Sequence, residues 1–171
     1  MNVCAVRTLT ETVGLEKGYE YLLNFGFTTL VDGTDKNYPG YTDIAQSTAL
    51  GGITRGVYNL EMTAAYASIA NGGEYTEPTF YTQVLDHDGN VLLDNTSPDT
   101  HRVIKESTAY LLTSAMEDVV TKGTGTPARL DRMTAAGKTG TTDDSKDAYF
   151  IGFTPDVVTG VWVGNDDNSQ M

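Results

Sequence analysis

Apolar residues recur at helical spacing in two short opening segments, Asn2–Gly14 and Gly14–Phe27, each closing near a glycine, and this predicts a helical hairpin. The next stretch, 34–57, is rich in Gly, Thr and Asp and holds a Pro-Gly step. It reads as a loop linking two helical layers, with at most a helical turn over Ile44–Ala49. Asn59 then offers an N-cap and Gly72 a stop for a third helix, whose small residues suit burial on more than one side. Alternation on both sides of His87–Asn90 predicts a satellite β-hairpin over 79–95. Over 104–123 the stripe Ala109, Leu112, Met116 and Val119 marks the clearest helix, ended by Lys122 and Gly123. After a loop over 124–132, the segments 133–142, 148–155 and 158–166 read as strands, and their short connections predict antiparallel neighbours.

A chain of 171 residues, 39% hydrophobic and 20% charged, is long enough for one domain with a sizeable core. Its net charge of -12 repels nucleic-acid backbones and anionic membrane surfaces, so nucleic acid is not expected as a partner. The single cysteine, Cys4, forms no internal disulfide and reads as a small buried apolar residue. His87 and His101 stand too far apart in sequence to suggest a ligand pair, so no metal or other cofactor is expected. No apolar run approaches the roughly 18 residues that span a bilayer, and the opening residues lack the basic lead and apolar core of a leader peptide.

Gly137-Lys138-Thr139 invites a phosphate-loop reading, which fails because the position five before Gly137 holds Arg132 and no helix pattern follows the lysine. Small and β-prone residues on both sides place Lys138 on a strand. Period two then sets Lys138, Gly140 and Thr142 on one face and Thr139 and Thr141 on the other. Both sets can reach a ligand only at a sheet edge. Gly140, without a side chain, would let the ligand approach the backbone there. Taken alone, such a segment could equally be an edge protected by charge and hydroxyls.

The run "AAGKTGTTDDSKDAYFIGFTPDVVTGVWVGNDD" resembles the Lys-Thr-Gly strand and the two strands after it in the penicillin-binding transpeptidase domain of bifunctional (class A) peptidoglycan synthases. "ALGGITRGVYNLEMTAAYASIANGG" and "VVTKGTGTPARL" resemble that family's segments in the same order, and "MNVCAVRTL" resembles the helix start carrying the Asn of its Ser-x-Asn motif. The resemblance covers nearly the whole chain. It implies an α+β fold, an antiparallel sheet packed against helices, as part of the β-lactamase/transpeptidase-like architecture. It implies acyl transfer from a D-Ala-D-Ala stem peptide, with β-lactams as mimics. By the same resemblance Lys138 supplies positive potential and supports the serine of the second motif. Thr139 and Thr141 bind the terminal carboxylate beside Gly140, the Thr141 N–H is an oxyanion donor, and Asn2 is the second half of Ser-x-Asn.

The departures set further expectations. No serine is followed three positions later by lysine, so the nucleophile motif is absent from these residues. Tyr149 stands where the family more often has Trp, and the last residues stop before the family's C-terminal helix. Residues 1–171 are therefore expected to be the C-terminal portion of the domain, inactive without an N-terminal half. The parent protein would act on the extracytoplasmic face of the bacterial membrane. Apolar surface is expected around Tyr149, Phe150, Ile151 and Trp162, with a symmetric dimer or strand exchange covering it. A non-catalytic D-Ala-D-Ala or β-lactam binding module, or a remnant with only a structural role, remains open.

Overall fold

In the computed structural model, which describes residues 2–171, the chain divides into a unit ending at Met62 and a unit Thr63–Met171. The class is α+β, as the segments predict. In the first unit α1 (Val3–Arg7) runs into a π-helical stretch, Thr8–Val13, whose last turn brings the Gly14 N–H to the Leu9 carbonyl at 2.8 Å. Gly14, at φ 90°, occupies the left-handed region and turns the chain into α2 (Leu15–Asn24). The two segments close tightly, since a Cβ on Gly18 would lie 2.5 Å from Leu9 Cδ1. The helical hairpin is thus present.

The loop after it is organised by Asp43, a residue the sequence did not single out. Its carboxylate is 2% exposed and accepts from the Val31 N–H, the Thr54 N–H and the Thr54 hydroxyl, each at 2.7 Å. Its own N–H donates to the Val31 carbonyl at 2.7 Å. The expected helical turn is a 3₁₀ turn at Gln46–Leu50. The unit boundary falls within α3 (Asn59–Ala70), in which no residue from Glu61 to Ile69 is exposed. That helix starts one residue earlier than expected: Asn59 is its first residue, and the Met62 N–H bonds the Tyr58 carbonyl at 3.0 Å.

The second unit adds a ribbon of β1 (Glu74–Thr76) and β4 (Thr100–Arg102), antiparallel, which the sequence reading missed. Between them the predicted hairpin forms from β2 (Gln83–Leu85) and β3 (Val91–Asp94), with Gly89 at φ 86° in its turn. Helix α4 (Glu106–Lys122) packs against β5 (Ala136–Thr141). Strands β5, β6 (Asp147–Phe153) and β7 (Val158–Gly164) form a three-stranded antiparallel meander in that order.

Three expectations need correction. The buried stripe of α4 is Ala109, Met116 and Val120, with Thr113 half-buried; Leu112 is 41% exposed and Val119 only half-buried. The helix is rotated by one position from the predicted stripe, because Thr113 and Val120, not Leu112 and Val119, complete the Ala109–Met116 row. Cys4 is exposed, because α1 buries none of its residues. Ile151 is 3% exposed, since β6 is the central strand of its sheet; Tyr149 and Phe150 are half-buried and Trp162 is 37% exposed. Among the described residues the larger apolar exposures lie elsewhere, at Phe80, 87% exposed, and at Tyr110 and Leu111 on α4, at 73% and 68%.

Candidate functional site

Lys138, Thr139, Gly140 and Thr141 all lie on β5, which among the described residues is an edge strand bonded only to β6. The register sets Lys138 against Ile151, Thr139 against Phe150, Gly140 against Tyr149 and Thr141 against Ala148. Beyond the ladder, the Thr142 N–H donates to the Asp147 carbonyl at 3.0 Å, and the Asp147 N–H donates to the Thr142 hydroxyl at 2.7 Å. Successive N–H groups of a strand point to opposite sides, so with Thr142 turned toward β6 the N–H groups of Thr141 and Thr139 face the open edge. The N–H groups that could meet a ligand therefore lie outside the β5–β6 ladder.

Side chains alternate instead between the two faces of the sheet. Lys138 is exposed, and its ammonium donates to the Thr139 carbonyl at 2.5 Å, bent back along its own strand. Among the described residues no carboxylate lies within ion-pair distance of it. Thr139 is half-buried, its hydroxyl 2.7 Å from that of Thr124, and Thr141 is exposed. Two glycines on this strand differ in their reasons. A Cβ on Gly137 would lie 2.8 Å from both Ile151 O and Phe150 Cζ, whereas one on Gly140 would meet only Tyr149 Cβ, at 3.6 Å. Packing demands the first glycine; nothing inside the described chain demands the second.

The sheet behind the edge is braced. Trp162 Nε1 donates to Asp147 Oδ1 at 2.9 Å, joining β7 to the start of β6. Burial, with the Asp147 charge adding to it, raises the Tyr149 phenol above its ordinary value, so opposite Gly140 it is a neutral hydrogen-bonding group at physiological pH. The turn between β5 and β6 carries Asp144 and Ser145 at φ 61° and 52°, left-handed values that cost non-glycine residues about 1 kcal/mol or more each.

Residues 1–169 match the penicillin binding protein transpeptidase domain. The chain belongs to that family. It is 39% identical to penicillin-binding protein 1A of Clostridium acetobutylicum over 172 aligned positions, covering all of this chain and 20% of that protein. The crystal structure of penicillin-binding protein 1A from Haemophilus influenzae superposes with a TM-score of 0.76 at 27% identity, over 98% of this chain and 29% of that one. The PonA1 protein of Mycobacterium tuberculosis in complex with penicillin V superposes with a TM-score of 0.73 at 27% identity, over 96% and 44%. The chain spans about a fifth of the length of the Clostridium acetobutylicum protein and of another curated relative, penicillin-binding protein 1A of Clostridium botulinum.

Within this member of the family the sequence-derived residues fall in two places. Lys138, Thr139, Gly140 and Thr141 are brought together on β5 in the second unit. Asn2 stands in the first unit at the cap position of α1; it is exposed and its side chain makes no capping hydrogen bond, so capping does not account for it. Thr124 joins the β5 group through Thr139, and was legible beforehand only as part of the segment "VVTKGTGTPARL". Neither of two open grooves, of about 400 and 430 Å³, is lined by Lys138, Thr139 or Thr141. Among the described residues no helix is long and apolar enough to cross a membrane, and no group of His, Cys, Asp and Glu could hold a metal ion.

Proposed function

We propose that this chain carries the carboxylate-anchoring strand of a D,D-transpeptidase that cross-links peptidoglycan stem peptides ending in D-Ala-D-Ala and is acylated by β-lactams. The observation that carries it is the open edge of β5, with outward N–H groups, a cation lacking a carboxylate partner among the described residues, and two threonines beside a glycine that no internal contact requires. Lys138 favours an anionic substrate by its charge. Thr139 and Thr141 hydrogen-bond the terminal carboxylate, Gly140 admits the peptide close to the backbone, and the Thr141 N–H stabilises the oxyanion. Asn2 belongs to the Ser-x-Asn motif, its serine lying on upstream sequence.

The nucleophile comes from outside residues 1–171, since none of their serines has a lysine three positions on. The chain is thus the C-terminal portion of its domain, partnered by an N-terminal half in a protein that works on the extracytoplasmic face of the membrane. By itself it is inactive and pairs as a symmetric dimer over its apolar exposures, which light scattering at high concentration checks against a monodisperse monomer. Loss of a nucleophile removes nearly all rate enhancement of a concerted set. Incubation with penicillin, followed by intact-mass spectrometry, should therefore give no stoichiometric adduct. N-acetyl-D-Ala-D-Ala should still bind weakly and perturb the amide resonances of β5; an adduct overturns the first claim, and undisturbed β5 resonances overturn the second.

A further inference from the structure

Thr124 sits in a Gly-Thr-Gly turn after α4 that the roles given to β5 leave unused. Close approach requires Gly123, where a Cβ would lie 2.8 Å from Val119 Cα and 2.9 Å from Val119 O, and leaves Gly125 crowded, where one would lie 3.2 Å from that same oxygen. The Val119 carbonyl accepts from the Gly123 N–H at 3.1 Å and from the Gly125 N–H at 2.9 Å, so the turn is cinched onto the end of α4. Its one side chain is thereby carried to β5, where the Thr124 hydroxyl lies 2.7 Å from that of Thr139.

We infer that Thr124 is a positioning residue for carboxylate recognition, its hydroxyl donating to Thr139 so that the single proton of Thr139 is aimed at the terminal carboxylate of an acyl-D-Ala-D-Ala peptide. This rests on the role proposed for β5. The direction of the bond follows from proton inventory. A carboxylate only accepts, and a hydroxyl has one proton and two lone pairs. Once Thr139 gives its proton to the carboxylate it can only accept from Thr124, which must then donate. A chain of this kind polarises the outer O–H and strengthens its bond. It also fixes the Thr139 rotamer before the ligand arrives, which lowers the ordering cost of binding.

The test uses isotope-labelled residues 1–171 and two NMR readouts. One is the χ1 rotamer of Thr139, from three-bond couplings to its γ-methyl. The other is the affinity for N-acetyl-D-Ala-D-Ala against that for its C-terminal amide. The parent should hold one rotamer and prefer the carboxylate form. Thr124→Val, which keeps the shape without the proton, should average the rotamer and lose about five- to tenfold in affinity for the carboxylate form alone. Thr124→Ser should restore both. Thr139→Val should erase the preference, which checks the β5 role separately. If Thr124→Val keeps the parent's preference while Thr139→Val loses it, the role of Thr124 is overturned and that of β5 stands; a parent without preference overturns both. Should Thr124→Val disturb the β5–β7 amide spectrum, Thr124→Ala takes its place with the same expected loss.

Discussion

Replacing Asp43 by alanine should unfold the first unit far more readily than its position in a polar loop suggests. The carboxylate is the acceptor for three donors at 2.7 Å, and Val31, whose N–H is one of them, is 1% exposed. A buried donor left without a partner costs about 1–3 kcal/mol, and Val31, which water cannot reach, should be near the top of that range. The N–H and hydroxyl of Thr54 are half-buried and can be partly rehydrated, adding about 1 kcal/mol together. The sum is about 3–4 kcal/mol, a large share of the roughly 5–15 kcal/mol that holds a typical domain folded. Asp43→Asn retains one acceptor oxygen but turns an NH₂ toward the other donors, so about 2 kcal/mol is expected. The single tryptophan, Trp162, lies in the second unit, so its fluorescence is the wrong probe. Far-UV circular dichroism in urea and hydrogen exchange at the Val31 amide are the right ones. Asp32→Ala, at an exposed turn where Asp32 binds Thr34, should shift stability by no more than about 0.5 kcal/mol. An Asp43→Ala loss below about 1 kcal/mol, with the Val31 amide as protected as in the parent, would refute the reasoning.

Gly137→Ala should cost about 1–3 kcal/mol, because its Cβ meets backbone and ring at 2.8 Å, while Gly140→Ala should leave the unfolding free energy in urea within about 1 kcal/mol of the parent yet abolish peptide binding at β5; equal stabilities for the two would contradict the packing argument. In a complex co-folded with an upstream segment bearing Ser-x-x-Lys, Lys138→Ala should slow penicillin acylation about ten- to a hundredfold through loss of a charge-assisted hydrogen bond, with exposed Lys122→Ala as the neutral control; an unchanged rate in an equally folded complex returns β5 to a plain protected edge. The raised phenol of Tyr149 favours the neutral form in the fold, so its contribution to stability is complete below the ordinary phenol value near pH 10 and is lost as pH rises through the folded value. Tyr149→Phe should therefore flatten the alkaline fall of the urea midpoint without altering it near pH 7, and parallel alkaline slopes in both proteins count against this.

The parts of the fold visible in the sequence are those whose signal is local. The β5–β7 meander announces itself by alternation and short turns, and the β2–β3 hairpin by His-Asp-Gly-Asn. The ribbon of β1 and β4 does not, because each strand is three residues long and its partner lies beyond a whole hairpin. The α4 stripe came out one position off because Thr113 can be half-buried where a hydrophobicity count prefers Leu112. Asp43 gave no signal at all: an aspartate in a Gly- and Thr-rich stretch looks like any solvated turn until its three donors are seen around it. At the candidate site, Lys138 and its threonines were legible as an edge pattern. The Thr124–Thr139 contact joins residues fifteen apart through a turn whose glycines give no hint of direction.

The meander also bears on the order in which this chain acquires its shape. β5 is registered by β6 across only residues 142–146, whereas β1 must wait for β4 across residues 77–99. Loop-closure entropy makes the second pairing costlier by about 1.4 kcal/mol before any contact rewards it. Hairpins with short connections form in roughly 1–10 μs. The strand bearing Lys138 should therefore be among the first elements in place during refolding, its spacing set by its immediate neighbours in sequence. Substitutions in the remote ribbon would then slow completion of the fold while leaving the lysine, the threonines and their register already assembled.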